Sequence, residues 1–454
     1  MENKHAIIVG AGLVGSLWAV LLAKRGYRVD IYERRGDMRQ AGFVGGRSIN
    51  LALSDRGWRA LRKAGIAERI REHALPMSGR MMHSEDGELT RQPYGREGQA
   101  IYSVSRGGLN LELIQLADEH EGVTFYFNHR CEGYERRERV LRFTDETTDT
   151  EKVVTAPVIF ASDGAFSAVR SSLLRTPRFN YQQHYLDYGY KEISIPPLAD
   201  GSHALTNDAL HIWPRGQFML IALPNPDGSF TGTLFLAYEG EVSFEHLQTD
   251  EQVQAFFEEY FGDVVPLMPE LLQDFRENPT ASLVTIRCRP WQYQEHVLLM
   301  GDASHAIVPF YGQGMNSGFE DCSLLDDLAT EHNEDWPAIL REFSRTRPDD
   351  ADGIADLALR NFIEMRDWVG HPDFLLRKKI AARLQEELPD EFLPLYSMVT
   401  FSHTPYGEAN REAKAQDELF ERILAIPEIE SRWRERVVID EFRKWQAERT
   451  AQAV

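Results

Sequence analysis

The sequence predicts an α/β chain with an inserted β-sheet and a C-terminal helical region. Three observations carry this: an apolar strand running into a glycine triplet and a helix near the start, apolar residues alternating about a turn in the middle, and helical spacing of Leu and Ile after residue 349. At 454 residues the chain exceeds one ordinary core and divides into two or three domains. Its 43% hydrophobic and 27% charged residues place it among globular proteins. A formal net charge of -21, with no Lys/Arg-rich tract to offset it, repels polyphosphate backbones. Nucleic acid is therefore not expected as a partner, and a small anionic substrate needs local cations. Cys131, Cys288 and Cys322 are odd in number and far apart, which fits free thiols in a reducing compartment better than a disulfide framework or a metal cage.

The start, MENKHAIIVGAG, lacks the charged region, long apolar core and cleavage site of a secretory signal. The apolar run 7–23 is interrupted by Gly10, Gly12 and Gly15 and is short for a bilayer, while 433–451 is rich in Glu and Arg. The expectation is a cytoplasmic protein without a membrane partner.

In "AIIVGAGLVGSLWAVLLAKRGYRVDIYERR", a buried-strand run at 6–9 meets Gly10, Gly12 and Gly15 in G-x-G-x-x-G order, followed by a helix over 13–25 and a second strand over 28–32 that ends on Glu33. The first glycine permits a tight turn, the second admits a pyrophosphate against bare backbone, and the third lets helix and strand pack closely. Amides at the helix start face the phosphates, and Glu33 is placed to accept from a ribose hydroxyl. This is a Rossmann-like dinucleotide unit. The acid at Glu33 disfavours a 2'-phosphate, so NADP is not expected in this site; FAD and NAD remain.

Two later stretches repeat the strand-to-loop pattern. "VIFASDGAFSAVRSSLL", 158–174, runs from an apolar strand into Asp163 and Gly164, then Ser167 and Arg170. Alone, a DG after a strand is a turn. "HVLLMGDASHAIVPFYGQGMNSGFED" has a strand at 296–300, Asp302 at its end, glycines at 312, 314 and 318, and a helix over 316–328 that starts near 314–317. A second strand end closing on a second helix N-terminus suits the far part of an extended cofactor. Asp302 can accept from a polyol hydroxyl, and the helix dipole favours negative charge on a flavin ring. Together these features favour FAD, which is long enough to need both ends.

The run 211–240 alternates about Asn225-Pro226-Asp227-Gly228 and reads as a hairpin flooring a substrate domain, with Phe235 and Tyr238 in its packing. Helices are expected over 353–369, 373–387, 408–425 and 431–449, forming a lid over the site or a supporting or dimerising bundle. The expected division is a FAD-binding domain from 1–175 and 285–345 (including substrate and flavin loops at 45–110), a β-sheet substrate domain at 176–284, and a C-terminal helical region at 346–454.

The three marks, GAGLVG at 10–15, SDGAFSAVR at 162–170 and GDASHAIVPFYGQGMN at 301–316, resemble those of the flavin-dependent aromatic hydroxylases with a single FAD-binding domain. A closer resemblance, to the kynurenine 3-monooxygenase family, runs from 45 to 402 through GGRSINLALSDRG, PYG, SVSR, HIWPR, GQGMNSGFEDC, NFIEMR and PLYSMVTFS. It implies that Arg80 and Tyr94 bind an amino acid carboxylate and that Asn361 and Tyr396 are polar contacts from the C-terminal part. It also implies flavin contacts at Ala52, Arg106, Asp302, Met315 and Asn316, beside Gly10, Gly12, Val14, Gly15, Glu33, Arg34, Asp163 and Gly314 as cofactor-binding positions. The implied reaction converts L-kynurenine to 3-hydroxykynurenine: bound FAD is reduced by transient NADPH and reacts with O2 to a C4a-hydroperoxide. The side chains position the substrate, with no acid–base catalyst and no metal. No counterpart of the membrane-anchoring tail of the animal enzymes is expected here.

On residues alone, Arg80 and Tyr94 read as surface positions, and His305 reads as structural. Phe310, Tyr311 and Phe319 suit a substrate wall and core packing equally. A rival reading is the same chemistry on another aromatic acid, which should not share Arg80, Tyr94, Asn361 and Tyr396 together. A non-catalytic carrier on the same fold is free to lose the glycines, all of which are kept here. A plain NAD-dependent dehydrogenase has no use for the DG and GD stretches.

Overall fold

The computed structural model describes residues 4–40, 50–368 and 372–452. Residues 45–49 of the GGRSINLALSDRG stretch and position 369 of the expected helix 353–369 lie outside them.

A six-stranded sheet carries the three glycine-rich loops. Its order is Gln292–Tyr293, Val297–Leu299, Val158–Ala161, His5–Val9, Arg28–Tyr32, Val123–Tyr126, and all pairings are parallel except that of the edge strand Gln292–Tyr293. His5–Val9 is buried at every position, as a strand covered on both faces must be. The register pairs Val9 with Ala161 and Ala161 with Leu299. The chain therefore leaves all three strands at one edge, into Gly10, Asp163 and Asp302 respectively. The helices Leu13–Lys24 and Gly314–Glu331 follow the first and third of these loops.

The second large sheet has seven strands, ordered Ala281–Arg289, Asn180–Ile195, Phe230–Ala237, Phe218–Pro224, Ala209–Arg215, Gly79–His83, Leu89–Pro93. The stretch expected to be one hairpin is a three-stranded meander. Gly216, at φ 69, closes a first turn before the expected one at Asn225–Ser229. The sheet also recruits Gly79–His83, which pairs parallel to Ala209–Arg215 and sets Arg80 opposite Leu210. Alternation sorts the two faces. Trp213, Phe218, Leu220, Leu234 and Leu236 pack under the helices Asp250–Phe261 and Leu271–Glu277. Met82, Ile212, Met219 and Phe235 turn instead toward the C-terminal helices.

The first C-terminal helix begins earlier than expected, at Trp336, with Asp335 as its cap, and runs through Pro348 to Ile363 before a π turn at Glu364–Trp368. Proline costs one helical hydrogen bond, but Pro348 is buried and tertiary packing overrides the local penalty. One turn on, Gly353 lies so close to Gly407 that a Cβ there would sit 2.8 Å from its Cα. Pro372–Glu387 and Tyr406–Leu424 follow expectation. Leu395–Thr400 is an additional short helix, and the expected helix 431–449 is divided into Ile429–Arg432 and Val437–Gln452. Among the described residues no helix is long and apolar enough to cross a membrane.

Two buried histidines shape the response to acid. His211 donates from Nε2 to the Thr206 carbonyl at 2.8 Å, and burial pushes it down to about 4. His296, beside Tyr134 and Arg139, is pushed down to about 4 by burial and then by the Arg139 charge. Both take up protons in the unfolded chain near pH 6.5 and in the folded chain only near pH 4. Stability is therefore full above the unfolded value and drains as pH falls between the two, by roughly 1–3 kcal/mol per histidine. Urea unfolding from pH 7 down to pH 4.5 is expected to show this loss. His211→Gln should lower the slope by about one proton, and an unchanged slope would contradict the assignment.

Candidate active site

At the shared edge of the parallel sheet, the three glycines of the first loop do different work. Gly10 sits at φ 96, and a Cβ there would lie 2.6 Å from the Ser162 carbonyl oxygen; one at Gly15 would lie 2.0 Å from the Gly10 carbonyl oxygen. A Cβ at Gly12 would meet nothing within 4 Å, so this backbone faces open space beside the helix start. That is the geometry a diphosphate requires. Glu33 accepts from the Ala11 amide at 2.9 Å and from the Arg35 amide and Nε. Burial works to raise its carboxyl, but the Arg35 hydrogen bonds and charge and the two amides outweigh it, leaving Glu33 ionised below the ordinary carboxylate range. Arg34, next to it, is exposed.

The second and third loops are joined to the first. Asp163 accepts from the Ala168 and Val169 amides through Oδ2, while its buried Oδ1 has no partner, and burial raises its carboxyl. Arg170 donates to the carbonyls of Ala165 and Ala303, tying the DG loop to the GD loop. Asp302 is exposed at the strand end. Val14 is held between Gly301 and Gly318, where added Cβ atoms would lie 3.0 and 2.6 Å from its Cγ2. It therefore docks one helix on the other. The amides of Gly314, Met315 and Asn316 precede the first bond of their helix, from Ser317 N to the Gln313 carbonyl, and have no partner among the described residues at its positive end. The Asn316 side chain is spent on the protein: it donates to Ala52 O and Gly312 O and accepts from Ser54 N. Any ligand contact by Asn316 must therefore come from its backbone. Arg106 is exposed at the start of the helix Arg106–Asp118, within electrostatic reach of Tyr190.

Arg80, Tyr94 and Tyr396 come together. The Tyr94 and Tyr396 rings stack at 5.0 Å, and the Arg80 guanidinium carbon lies 5.4 and 5.3 Å from their centroids. Tyr311 extends the stack, 5.7 Å from Tyr396. Arg80 is 9% exposed, and no carboxylate among the described residues pairs with it; the Tyr94, Tyr396 and Tyr311 phenols act on its charge, and the Lys378 ammonium lies within electrostatic reach. Arg80 Nε and Tyr94 Oη are buried without hydrogen-bond partners. Burial pushes the Tyr94, Tyr311 and Tyr396 phenols up, so all three remain neutral donors. Asn361, buried near the end of its helix, spends its amide nitrogen on the Phe310 carbonyl at 2.6 Å and on Met365 Sδ.

Phe310 stacks on Phe362 at 4.3 Å and packs on Phe235 at 4.9 Å, so Phe235 belongs to this wall as well as to its sheet. Phe319, expected at a substrate wall or in a core, lies in the core beneath the parallel sheet and away from this cluster. His305 is structural: it bonds Asp321 at 2.6 Å and stacks on Trp291. Asp321 also accepts from the Gly301 amide and from Arg347 Nε, fixing the GD loop from beneath. The sequence reading missed Tyr311 as a partner of Arg80 and Asp321 as an anchor. The adjacency of Tyr311 to Phe310, and the GFED run in the helix, were the available signals.

The FAD binding domain family model matches residues 3–357. A kynurenine 3-monooxygenase of Christiangramia forsetii is 48% identical over 432 residues, covering 95% of this chain and 96% of that protein. One of Flavobacterium johnsoniae is 46% identical over 426 residues, covering 94% and 95%. Among solved structures, a tetrameric form of 2-methyl-3-hydroxypyridine-5-carboxylic acid oxygenase superposes with a TM-score of 0.67 at 18% identity, covering 85% of this chain and 98% of that one.

Gly12→Val is expected to fold, because a Cβ there meets nothing within 4 Å, yet to fill the space beside the helix start. The variant should match the wild-type apoprotein in thermal unfolding while binding added FAD at least about tenfold more weakly, a loss of roughly 1.4 kcal/mol or more. Flavin fluorescence titration checks this, and wild-type affinity would show that the diphosphate lies elsewhere.

Proposed function

The chain belongs to the kynurenine 3-monooxygenase family of FAD-dependent aromatic hydroxylases, and we propose that it hydroxylates L-kynurenine at the ring carbon next to the aromatic amine, consuming NADPH and O2. One oxygen atom enters the product, 3-hydroxykynurenine, and the other leaves as water.

One observation carries the choice of substrate: a buried guanidinium with no carboxylate partner among the described residues, flanked by two stacked phenols, one of which has no partner for its hydroxyl. Burying an unpaired cation is costly, and such a group is kept where a ligand supplies the counter-charge. A planar carboxylate meets a guanidinium through two parallel hydrogen bonds, and Tyr94 adds a third. The apolar wall of Phe235, Phe310 and Phe362 suits the aromatic ring at the other end of an amino acid held this way.

The cofactor positions follow from the same edge. The open backbone at Gly12 and the free amides of Gly314–Asn316 suit the charged and polar parts of FAD, and Glu33 and Asp302 suit its hydroxyls. When bound, FAD supplies the redox chemistry, taking electrons from NADPH and using them to activate O2. The amine of the substrate already enriches the ring in electrons, so the protein contributes placement and exclusion of water and needs no general base. The assignment of His305 to Asp321 agrees with that division of labour.

The direct test measures NADPH oxidation with and without L-kynurenine, together with 3-hydroxykynurenine and peroxide. Stimulation by kynurenine with matching product supports the reading; equal oxidation without product would end it. Arg80→Ala removes charge-assisted bonds worth about 1.5–3 kcal/mol each, so the kynurenine Kd should rise at least about tenfold while FAD binding is kept. Near-wild-type kynurenine affinity in that variant would remove Arg80 from the site.

A further inference from the structure

Arg56 occupies a position in the fold that packing alone does not require. It lies in the helix Asp55–Ala64, immediately after the strand Asn50–Leu53, and is 1% exposed. Its guanidinium pairs with Glu320 of the helix Gly314–Glu331 and donates to the backbone carbonyls of Val399 at 3.1 Å, Met398 at 3.4 Å, and Thr404. The flat face of the group covers the Tyr406 ring, 3.9 Å from its centroid. Met398 and Val399 belong to the short helix Leu395–Thr400, which also carries Tyr396.

On the cofactor side, Asn316 joins the Ala52 and Gly312 carbonyls and the Ser54 amide, so the strand ahead of Arg56 and the start of the helix that holds Glu320 form one unit. Arg347 steadies that unit from below, 2.8 Å from Glu320 Oε2 and 2.8 Å from Asp321 Oδ1. The Tyr396 helix and the cofactor edge are therefore bonded through the Arg56 guanidinium, beside the stacking of Tyr311 on Tyr396. Apolar contacts are non-directional. A guanidinium fork presents donors at fixed angles and fixes both distance and orientation between the segments it joins.

We propose that Arg56 is a positioning residue: it holds the Tyr396 helix at a set distance from the cofactor edge, so that the substrate ring meets the site of oxygen activation. The inference rests on reading Arg80, Tyr94 and Tyr396 as the substrate pocket. When that placement loosens, NADPH, O2 and a proton yield NADP+ and hydrogen peroxide, both electrons passing to O2, and no oxygen reaches the ring.

Arg56→Lys in the FAD-loaded enzyme tests this. Lysine keeps the charge and can reach Glu320, but it has no fork to span the carbonyls of Met398, Val399 and Thr404. The expected result is an FAD Kd within about twofold of wild type and a kynurenine Kd, read from bound-flavin absorbance, raised at least about fivefold. Hydroxylated product per NADPH should fall below about half, peroxide making up the difference, while NADPH oxidation at saturating kynurenine stays within about threefold. Wild-type kynurenine affinity with wild-type product yield would overturn the proposal, as would FAD and kynurenine affinities falling in parallel, the mark of general loosening. If Arg56→Lys fails to fold, Glu320→Gln, which keeps the guanidinium but removes the charge anchoring it, must show the same split in weaker form, and unchanged yield there overturns the proposal equally. Failure of wild type itself to bind kynurenine strikes the pocket reading, and is distinguishable because it precedes any variant.

Discussion

Parallel pairing of three short strands is the constraint on which the rest of this structure depends. Because Val9, Ala161 and Leu299 stand side by side in one ladder, three loops far apart in the chain begin at the same edge. Each loop departs through a glycine with positive φ: Gly10 at 96, Gly164 at 83 and Gly301 at 54. Arg170 then ties the second loop to the third, and Val14, wedged against Gly301 and Gly318, ties the third to the helix that follows the first.

Against a net charge of -21, the buried cations are the informative ones. Arg170, Arg56 and Arg347 are each met by carbonyls or carboxylates of the protein, and together they fix loops and helices relative to one another. Arg80 differs. It is buried among tyrosines and left without a counter-charge among the described residues. The first three spend their donors on the fold, whereas the buried Nε of Arg80 has no partner among the described residues. Desolvation penalises an unpaired ion far more than a paired one, and that difference, more than burial, sets Arg80 apart from the other three.

The cofactor edge was legible in the sequence because its constraints are local. The Gly10-x-Gly12-x-x-Gly15 spacing, the strand ending at Glu33 and the Gly301-Asp302 pair each reflect sterics within a few residues. The cluster around Arg80 was not legible from pattern, since the strand Gly79–His83 acquires its surroundings from Ala209–Arg215, far along the chain, and Tyr396 arrives from another helix later still; only the resemblance to a family pointed there. Gly216 was read through as part of a strand although it ends one, so a meander was taken for a hairpin. The helix expected to begin at 353 begins at Trp336, because packing carries it through Pro348, where propensity disfavours a helix interior. Arg56, Glu320 and Asp321 look on sequence like ordinary helix surface, and only their mutual burial reveals the charge chain.

The central claim is that one flavin, gripped by three loops, faces a pocket whose unpaired cation is Arg80. A crystal structure of the protein with FAD and L-kynurenine tests it most directly. The account predicts the dinucleotide lying across Gly12 and the start of the helix Gly314–Glu331, with the kynurenine carboxylate bonded to Arg80 and Tyr94. Kynurenine bound elsewhere, or Arg80 paired with a protein carboxylate in that complex, would contradict it.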